Sequence, residues 1–321
     1  MTAETGDILV FTPDERDART YASLFADALP EASIRCAWEA GQAEEVAPET
    51  EVLVGWKFPD AVFRRAKRLR WVHKLGAGVD DILSRGELPP DLILTRSDGA
   101  ALAPRMAEYV LTGILALNLD LQSLLHDQAQ RRWIPRRTEL AAGKVVGVAG
   151  LGDIGGAVAR RLAASGFRVL GWRRSPIRSV EGVEHVFCGP AEFAEFLQAS
   201  DFVVLVLPST SETRHLINSE TLRHMKKTAA IVNVGRGASV DEAALVEALA
   251  RGDIAAALLD VFEREPLDRD SPLWDVRNLI ITPHISGPIV PQAVASMFVD
   301  NYRRYRSGAP LQRQVDLGRG Y

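Results

Sequence analysis

The stretch VVGVAGLGDIGGAVARRLAASG, residues 145–166, decides the fold. Its first five residues form a short apolar run of the kind that fills a buried strand, and Gly150-Leu151-Gly152-Asp153-Ile154-Gly155 follows at once. The remainder has the spacing of an amphipathic helix closed by Gly166. In such a strand–turn–helix unit the glycines have separate jobs. Gly150 makes the tight turn, Gly152 lets backbone approach a pyrophosphate, and Gly155 lets the helix pack on the strand. The pyrophosphate would lie on the N–H groups at the helix start, around Gly152, Asp153 and Ile154. A GxGxxG alone is a weak signal. The strand before it and the helix after it make this one read as a dinucleotide-binding turn, the plainer alternative being a strand–turn–helix with no ligand.

Three later strand-like runs each lead to a side chain with chemistry: AAIVNV (229–234) to Arg236, AAALLDVF (255–262) to Glu265, and NLIITP (278–283) to His284. Side chains beyond the carboxyl ends of parallel strands converge on one crevice. A cation, a carboxylate and an imidazole beside a dinucleotide are equipment for moving a hydride and a proton. In the reduction of a 2-keto acid, negative charge grows on the carbonyl oxygen and a proton must be supplied. His284 suits that transfer near neutral pH. Glu265 is the candidate to hold its other ring nitrogen. Arg236 can bind the substrate carboxylate and polarise the carbonyl. The plainer alternatives are a structural turn at His284, a surface acid at Glu265 beside Glu263, and a loop-holding arginine.

About 20 residues past the glycine turn, an acid would accept bonds from the adenosine ribose and repel a 2′-phosphate. This chain has Gly171-Trp172-Arg173-Arg174-Ser175 there. Two guanidiniums and a hydroxyl suit a phosphate, so NADP(H) is the expected cofactor, with NAD(H) possible. The alternative is a pair of solvent-facing arginines.

Composition narrows the remaining classes. At 321 residues the chain has room for two domains. Its 47% hydrophobic and 25% charged content is that of a globular protein. A net charge of −4 gives no global basic field for nucleic acid. No apolar run approaches the ~20 residues that span a bilayer. The acidic N-terminus leads straight into DILVFT and does not read as a signal peptide. Cys36 and Cys188 lie far apart and read as packed thiols, and no cluster has metal-ligand spacing. A cytoplasmic location, no metal, no nucleic acid and no membrane are the expectations.

Strand and helix signals alternate throughout, which argues α/β with parallel sheets. Strands are expected at Asp7–Phe11, Ser33–Trp38, Glu51–Trp56, Trp71–Leu75 and Asp91–Thr95, with helices at Ala18–Leu29 and Asp60–Leu69 between them. This part lacks a glycine fingerprint and reads as a substrate or lid domain. The stretch from Ala101 to about Gln130 reads as one long helix of ~40 Å, enough to cross between domains. Later strands are expected at Lys144–Ala149, Phe167–Trp172, Asp201–Leu207, Ala229–Val234, Ala255–Val261 and Leu279–Thr282, and a last amphipathic helix at Gln292–Ser307. The expected architecture is two doubly wound parallel-sheet domains. A Rossmann cofactor domain (101–290) is inserted into a flavodoxin-like substrate domain (1–100 and 291–321), with the cleft between them.

The chain resembles the D-isomer-specific 2-hydroxyacid dehydrogenase family. The matching stretches are HKLGAGVDDIL (73–83), GLGDIGGAVARRL (150–162), VLPSTSETRHLIN (206–218), NVGRGASVDEAALVEAL (233–249), LLDVFEREPL (258–267) and SPLWDVRNLIITPHISG (271–287). The resemblance implies that His284 is the acid/base, Glu265 its partner and Arg236 the cation that orients substrate. It makes Asp260 the nicotinamide carboxamide contact and adds cofactor contacts at Pro208, Val234 and Gly287. Ala77 and Gly78 match the loop whose backbone N–H groups hold the substrate carboxylate, a tight turn before a helix being the plainer alternative for that loop by itself. The segment VGWKFPD around Trp56, the arginine-rich end of the second strand and the terminus QVDLGRGY (314–321) are most similar to the glyoxylate/hydroxypyruvate reductase A branch. The resemblance thus implies NADPH-dependent reduction of glyoxylate and hydroxypyruvate to D-2-hydroxy acids, in a homodimer. Trp56 and Trp133 are offered as apolar pocket walls, with simple core burial the alternative. The terminus either packs near the cleft or frays. Two other readings stay open: the same chemistry on a larger aliphatic or aromatic 2-keto acid, and a dinucleotide-sensing binding protein, which has no need of a proton donor.

Overall fold

A computed structural model describes residues 7–317, except 86–87, 90, 98, 177–178 and 288–289; of 99–101 only the backbone is described. The chain divides into two compact units, one of Met1–Ala101 and Ile289–Tyr321, the other of Leu102–Pro288. From the N-terminus the elements are β1 (Asp7–Phe11), α1 (Glu15–Ala28), β2 (Ser33–Ala37), α2 (Ala40–Val46), β3 (Thr50–Gly55), α3 (Asp60–Arg65), β4 (Trp71–Lys74), α4 (Asp80–Leu83), β5 (Ile93–Arg96), α5 (Gly99–Asn118) and α6 (Leu121–Ala129). Then come β6 (Val145–Ala149), α7 (Asp153–Ala164), β7 (Arg168–Arg173), β8 (His185–Cys188), α8 (Phe193–Ala199), β9 (Phe202–Leu205), α9 (Ser219–Leu222), β10 (Ala230–Asn233), α10 (Glu242–Arg251), β11 (Ala256–Leu259), β12 (Leu279–Ile281) and α11 (Pro291–Ser307).

The first unit is a five-stranded parallel sheet in the order β2-β1-β3-β4-β5, the flavodoxin-like order. Its inner strands β1 and β3 are largely apolar and buried, with one hydrophobic cluster on each side of the sheet. On one side Phe298 of α11 packs 4.4 Å from Phe25 of α1 and stacks at 5.3 Å on Trp71 of β4. All three are fully buried, and emptying such a site of its ring costs about 3–5 kcal/mol. The carboxyl-terminal segment runs along the open side of β5: Gln314 bridges Thr95, and Val315 donates to the Leu94 carbonyl at 2.8 Å. This covers an edge that would otherwise expose unpaired backbone. Residues 318–321 of the QVDLGRGY terminus lie outside the described residues.

The second unit is a seven-stranded parallel sheet, β12-β11-β10-β9-β6-β7-β8. Chain order reverses between β6 and β9, so the topological switch point lies there. The doubly wound class expected from the sequence is the one found. Two elements differ. The strand β8 had no counterpart in the reading, because HVFC is short, half exposed and set off by charged residues. The expected long helix ends at Asn118, since Asp120 adopts a left-handed conformation (φ 50°) and α6 starts separately at Leu121. Aspartate tolerates that conformation better than most residues, and Arg136 binds both Asp120 and Asp127 across the break. Among the described residues no helix is long and apolar enough to cross a membrane.

His73 in β4 is fully buried, its Nδ1 lying 2.7 Å from the Thr95 hydroxyl, which also accepts the Trp71 indole N–H. Desolvation lowers its pKa to about 3. Because the folded value lies below the unfolded 6.5, the unfolded chain binds the extra proton. The stability this group leaves intact above pH 6.5 is therefore lost as pH falls from 6.5 toward 3, at about 1.4 kcal/mol per pH unit. His73→Gln is expected to flatten that part of the curve of thermal midpoint against pH; an unchanged slope would show that other groups set the acid limit.

Candidate active site

The second unit carries its chemistry at the carboxyl edge of its sheet. Arg236 follows β10, Glu265 follows β11 and His284 follows β12, three neighbouring strands. The structure brings His284 and Glu265 together: Nδ1 of the imidazole lies 2.7 Å from Oε2 of the carboxylate. An ionised carboxylate only accepts, so Nδ1 carries the proton and Nε2 is left to face a further partner. The second oxygen of Glu265 accepts the Phe262 N–H at 3.1 Å, which ties the carboxylate to its own turn. Glu263 is a separate group, paired with His215, so the two acids of the EREP turn serve different histidines.

The backbone at His284 is in the left-handed region (φ 55°), unusual for a residue with a Cβ. Asp260 holds it there. His284 N–H donates to the Asp260 carbonyl at 2.9 Å and to the Thr282 carbonyl at 3.1 Å. The Asp260 side chain is fully buried; Oδ1 accepts from the Ile285 N–H (2.9 Å) and the Thr282 hydroxyl (2.6 Å), and Oδ2 from the Ser286 N–H (2.8 Å). Thr282 has spent its proton on Asp260, so its oxygen accepts from the Tyr109 hydroxyl of α5. Burial is the main cause that pushes the Tyr109 phenol up to about 12, and it stays a donor. Hydrogen bonds to an ionised partner contribute about 1.5–3 kcal/mol each, enough to hold the strained turn. Thr282 and Tyr109 were not singled out from the sequence. The signal that could have found them is the buried aspartate ending an apolar strand, which must find donors nearby.

Arg236 is half buried and its Nη1 donates to the Gly235 carbonyl at 2.7 Å. Asn233, fully buried at the end of β10, shapes this turn: its Nδ2 donates to the Arg236 carbonyl (3.0 Å) and its Oδ1 accepts the Gly235 N–H (3.1 Å). Val234 is buried and bonds back to β9 through the Leu205 carbonyl.

At the switch point Gly150 has φ 97° and lies so near the Val206 carbonyl that a Cβ would clash; a Cβ on Gly155 would fall 1.8 Å from the Gly150 oxygen. Gly152 opens onto space with nothing within 4 Å of a Cβ, and among the described residues the start of α7 carries no side-chain N-cap. The N–H groups of its first turn, from Asp153, Ile154 and Gly155, are therefore placed as donors to an anion. These residues fit a dinucleotide pyrophosphate. Arg173, Arg174 and Ser175 lie at the end of β7, on the other side of the switch point from the catalytic candidates; Arg174 is ion-paired with Glu212. Pro208 follows β9, exposed, its carbonyl accepting the Thr213 hydroxyl. Gly287 packs close to Met106 of α5, a Cβ there coming within 3.2 Å.

The remaining candidates belong to the first unit. Ala77 and Gly78 are half buried in the loop after β4, with the Ala77 carbonyl accepting from Arg96. Trp56 is half buried and sets its ring edge-on to Tyr21 at 5.9 Å, so part of it belongs to the core. Trp133 is 95% exposed, which removes it from the core. It sits on the segment that Arg132 and Arg136 fold back onto Asp127, and that pairing leaves the indole outside.

A parallel doubly wound sheet with an anion-binding glycine turn at its switch point, and a carboxylate-held imidazole and a guanidinium on the same edge, defines a dinucleotide-dependent oxidoreductase. Residues 111–286 match the D-isomer specific 2-hydroxyacid dehydrogenase NAD binding domain, and the chain belongs to that family of NAD(P)-dependent oxidoreductases. It is 34% identical over 312 residues to glyoxylate/hydroxypyruvate reductase A of Serratia proteamaculans, covering 95% of this chain and 97% of that one. It is similar to a D-isomer specific 2-hydroxyacid dehydrogenase from Xanthobacter autotrophicus Py2 solved with NADPH and MES (41% identity, TM-score 0.90, 99% of this chain and 100% of that one). An NADPH-dependent glyoxylate/hydroxypyruvate reductase from Sinorhizobium meliloti, solved with NADP and sulfate, matches at 32% identity with a TM-score of 0.90, again over 99% and 100%.

Proposed function

We propose that the protein reduces small 2-keto acids, glyoxylate and hydroxypyruvate first, to D-2-hydroxy acids at the expense of NADPH. The observation that carries the proposal is the His284–Glu265 pair on the sheet edge that also bears Arg236 and the glycine turn. The reduced nicotinamide, when bound, supplies the hydride. His284 gives the proton from Nε2 to the carbonyl oxygen as charge develops there, and Glu265 stabilises the imidazolium and fixes its orientation. Arg236 binds the substrate carboxylate and the carbonyl oxygen together, which orients the carbon to be reduced. Backbone N–H groups of Ala77 and Gly78 hold the same carboxylate, and Trp56 supplies an apolar wall.

The cofactor is held by the Gly150–Gly155 turn and the first turn of α7, with further contacts from Pro208, Val234 and Gly287. Asp260 meets the carboxamide as well as bracing the His284 loop. Arg173, Arg174 and Ser175 read a 2′-phosphate, and relatives solved with NADPH or NADP support that choice over NAD(H). The location is cytoplasmic, consistent with two free cysteines. The assembly is a homodimer, supported by Leu115, Leu119, Leu121, Leu125, Trp133, Ile134 and Leu140, large apolar side chains exposed within residues 115–140. Such a concentration marks a protein interface. Light scattering is expected to give twice the mass of one chain; the mass of a single chain would remove the dimer.

Initial rates of absorbance loss with NADPH and NADH against glyoxylate, hydroxypyruvate, pyruvate and phenylpyruvate test the reading. Turnover fastest with NADPH and the two small acids is the expected result, and Arg173→Asp should lower the NADPH/NADH preference about ten- to a hundredfold, as loss of a charge-assisted bond implies. Activity with bulky acids alone would replace the substrate. No turnover despite tight cofactor binding would favour a sensor, and an unmoved preference in Arg173→Asp would free the arginine from any part in cofactor choice.

A further inference from the structure

The loop between β4 and α4, Leu75-Gly76-Ala77-Gly78-Val79, is pinned at both ends. At its base Lys74, 5% exposed, places Nζ 2.6 and 2.7 Å from the two oxygens of Asp81 in the first turn of α4. Leu75 N–H donates to the Gly55 carbonyl, and Val79 accepts from Ile82. Between these anchors the backbone N–H groups of Gly76, Ala77 and Gly78 find no acceptor among the described residues. Two of the three residues are glycine, and a glycine peptide turns over at little steric expense. Among the described residues, the contact that prevents it is Nη1 of Arg96, the last residue of β5, which donates to the Ala77 carbonyl at 2.9 Å.

We propose that Arg96 is a positioning residue for the substrate, holding the Ala77–Gly78 peptide in the one orientation that offers its N–H to a carboxylate. The inference rests on the reading of this loop as a carboxylate-binding segment. A trans peptide sets its C=O and N–H in opposite directions. With the Ala77 oxygen held by the guanidinium, the Gly78 N–H must therefore face away from Arg96, into the part of the loop that lacks acceptors. Turned over, the same peptide would present its carbonyl oxygen to the anion and repel it. The guanidinium also polarises the peptide it binds, which makes the opposite N–H a stronger donor. Arg96 itself stays off the substrate. Its own backbone N–H is fixed by the Arg313 carbonyl at 3.3 Å, so the carboxyl-terminal segment helps to aim it.

The test is the steady-state kinetics of the whole protein with NADPH and glyoxylate, for Arg96→Met, Arg96→Gln and Arg96→Lys. Arg96→Met is expected to raise the KM for glyoxylate about tenfold, the worth of a hydrogen bond from a charged donor. Its kcat and the KM for NADPH should stay within twofold of the parent. Arg96→Lys should recover part of the loss, since an ammonium still donates to a carbonyl. A glyoxylate KM within twofold of the parent in Arg96→Met overturns the proposal, as does a parallel fall of kcat and NADPH affinity, which marks general disruption. If thermal melting shows Arg96→Met too unstable to assay, Arg96→Gln decides, with a KM rise of about threefold expected and no rise overturning it. Gly78→Pro, which deletes the N–H itself, separates the two readings. A raised KM there with none in Arg96→Met keeps the loop and dismisses Arg96. No change in either dismisses the loop as the carboxylate site and Arg96 with it.

Discussion

The carboxylate of Asp260, buried at the end of β11 and accepting from Ile285, Ser286 and Thr282, sets where the imidazole of His284 can be. An ionised group in that position is tolerable only if its oxygens are fully bonded. The donors available are the amides of the turn that follows β12. Satisfying them forces His284 into a left-handed backbone and presents its ring to Glu265. The electrostatic requirement of one residue thus fixes the geometry of another on the next strand. Tyr109 of α5 extends the chain of donors through Thr282, so the start of the second unit is tied to its last strand.

Parallel strands explain why so much chemistry meets at one edge. Each strand of the seven-stranded sheet enters from the same side, so every loop leaving a carboxyl end lies on one rim. Nearest the switch point is the glycine turn after β6. The arginine-rich end of β7 lies on one side of it, and the turns after β10, β11 and β12 on the other. A dinucleotide is long enough to reach in both directions from a central pyrophosphate. On the proposed function, the order of strands sorts the residues into those offered to the adenosine end and those offered to the reacting carbon.

Most of this was legible in the chain because buried parallel strands read as short apolar runs and their carboxyl ends carry polar residues. The runs before Arg236, Glu265 and His284 fall on β10, β11 and β12 for that reason. What periodicity does not encode went unseen. The break at Asp120 depends on Arg136, sixteen residues away along the chain, binding it across the turn. The strand β8 is a short edge with little apolar content. Trp133 looks like core by residue type, yet arginine pairing on Asp127 leaves it outside. Arg96 ends an ordinary strand, and only the path of the loop after the neighbouring strand β4 shows what it holds. The role of Asp260 as a brace was hidden as well, since its donors arrive from a different strand.

The claim on which the account turns is that His284 delivers the proton. The measurement that tests it most directly is the single-turnover rate of NADPH oxidation by His284→Ala with saturating glyoxylate, alongside NADPH affinity by fluorescence. The account predicts a rate lower by ~10²–10⁴, the usual contribution of a positioned acid, with NADPH affinity unchanged. A rate close to that of the parent would contradict it and leave the His284–Glu265 pair a structural feature of the turn.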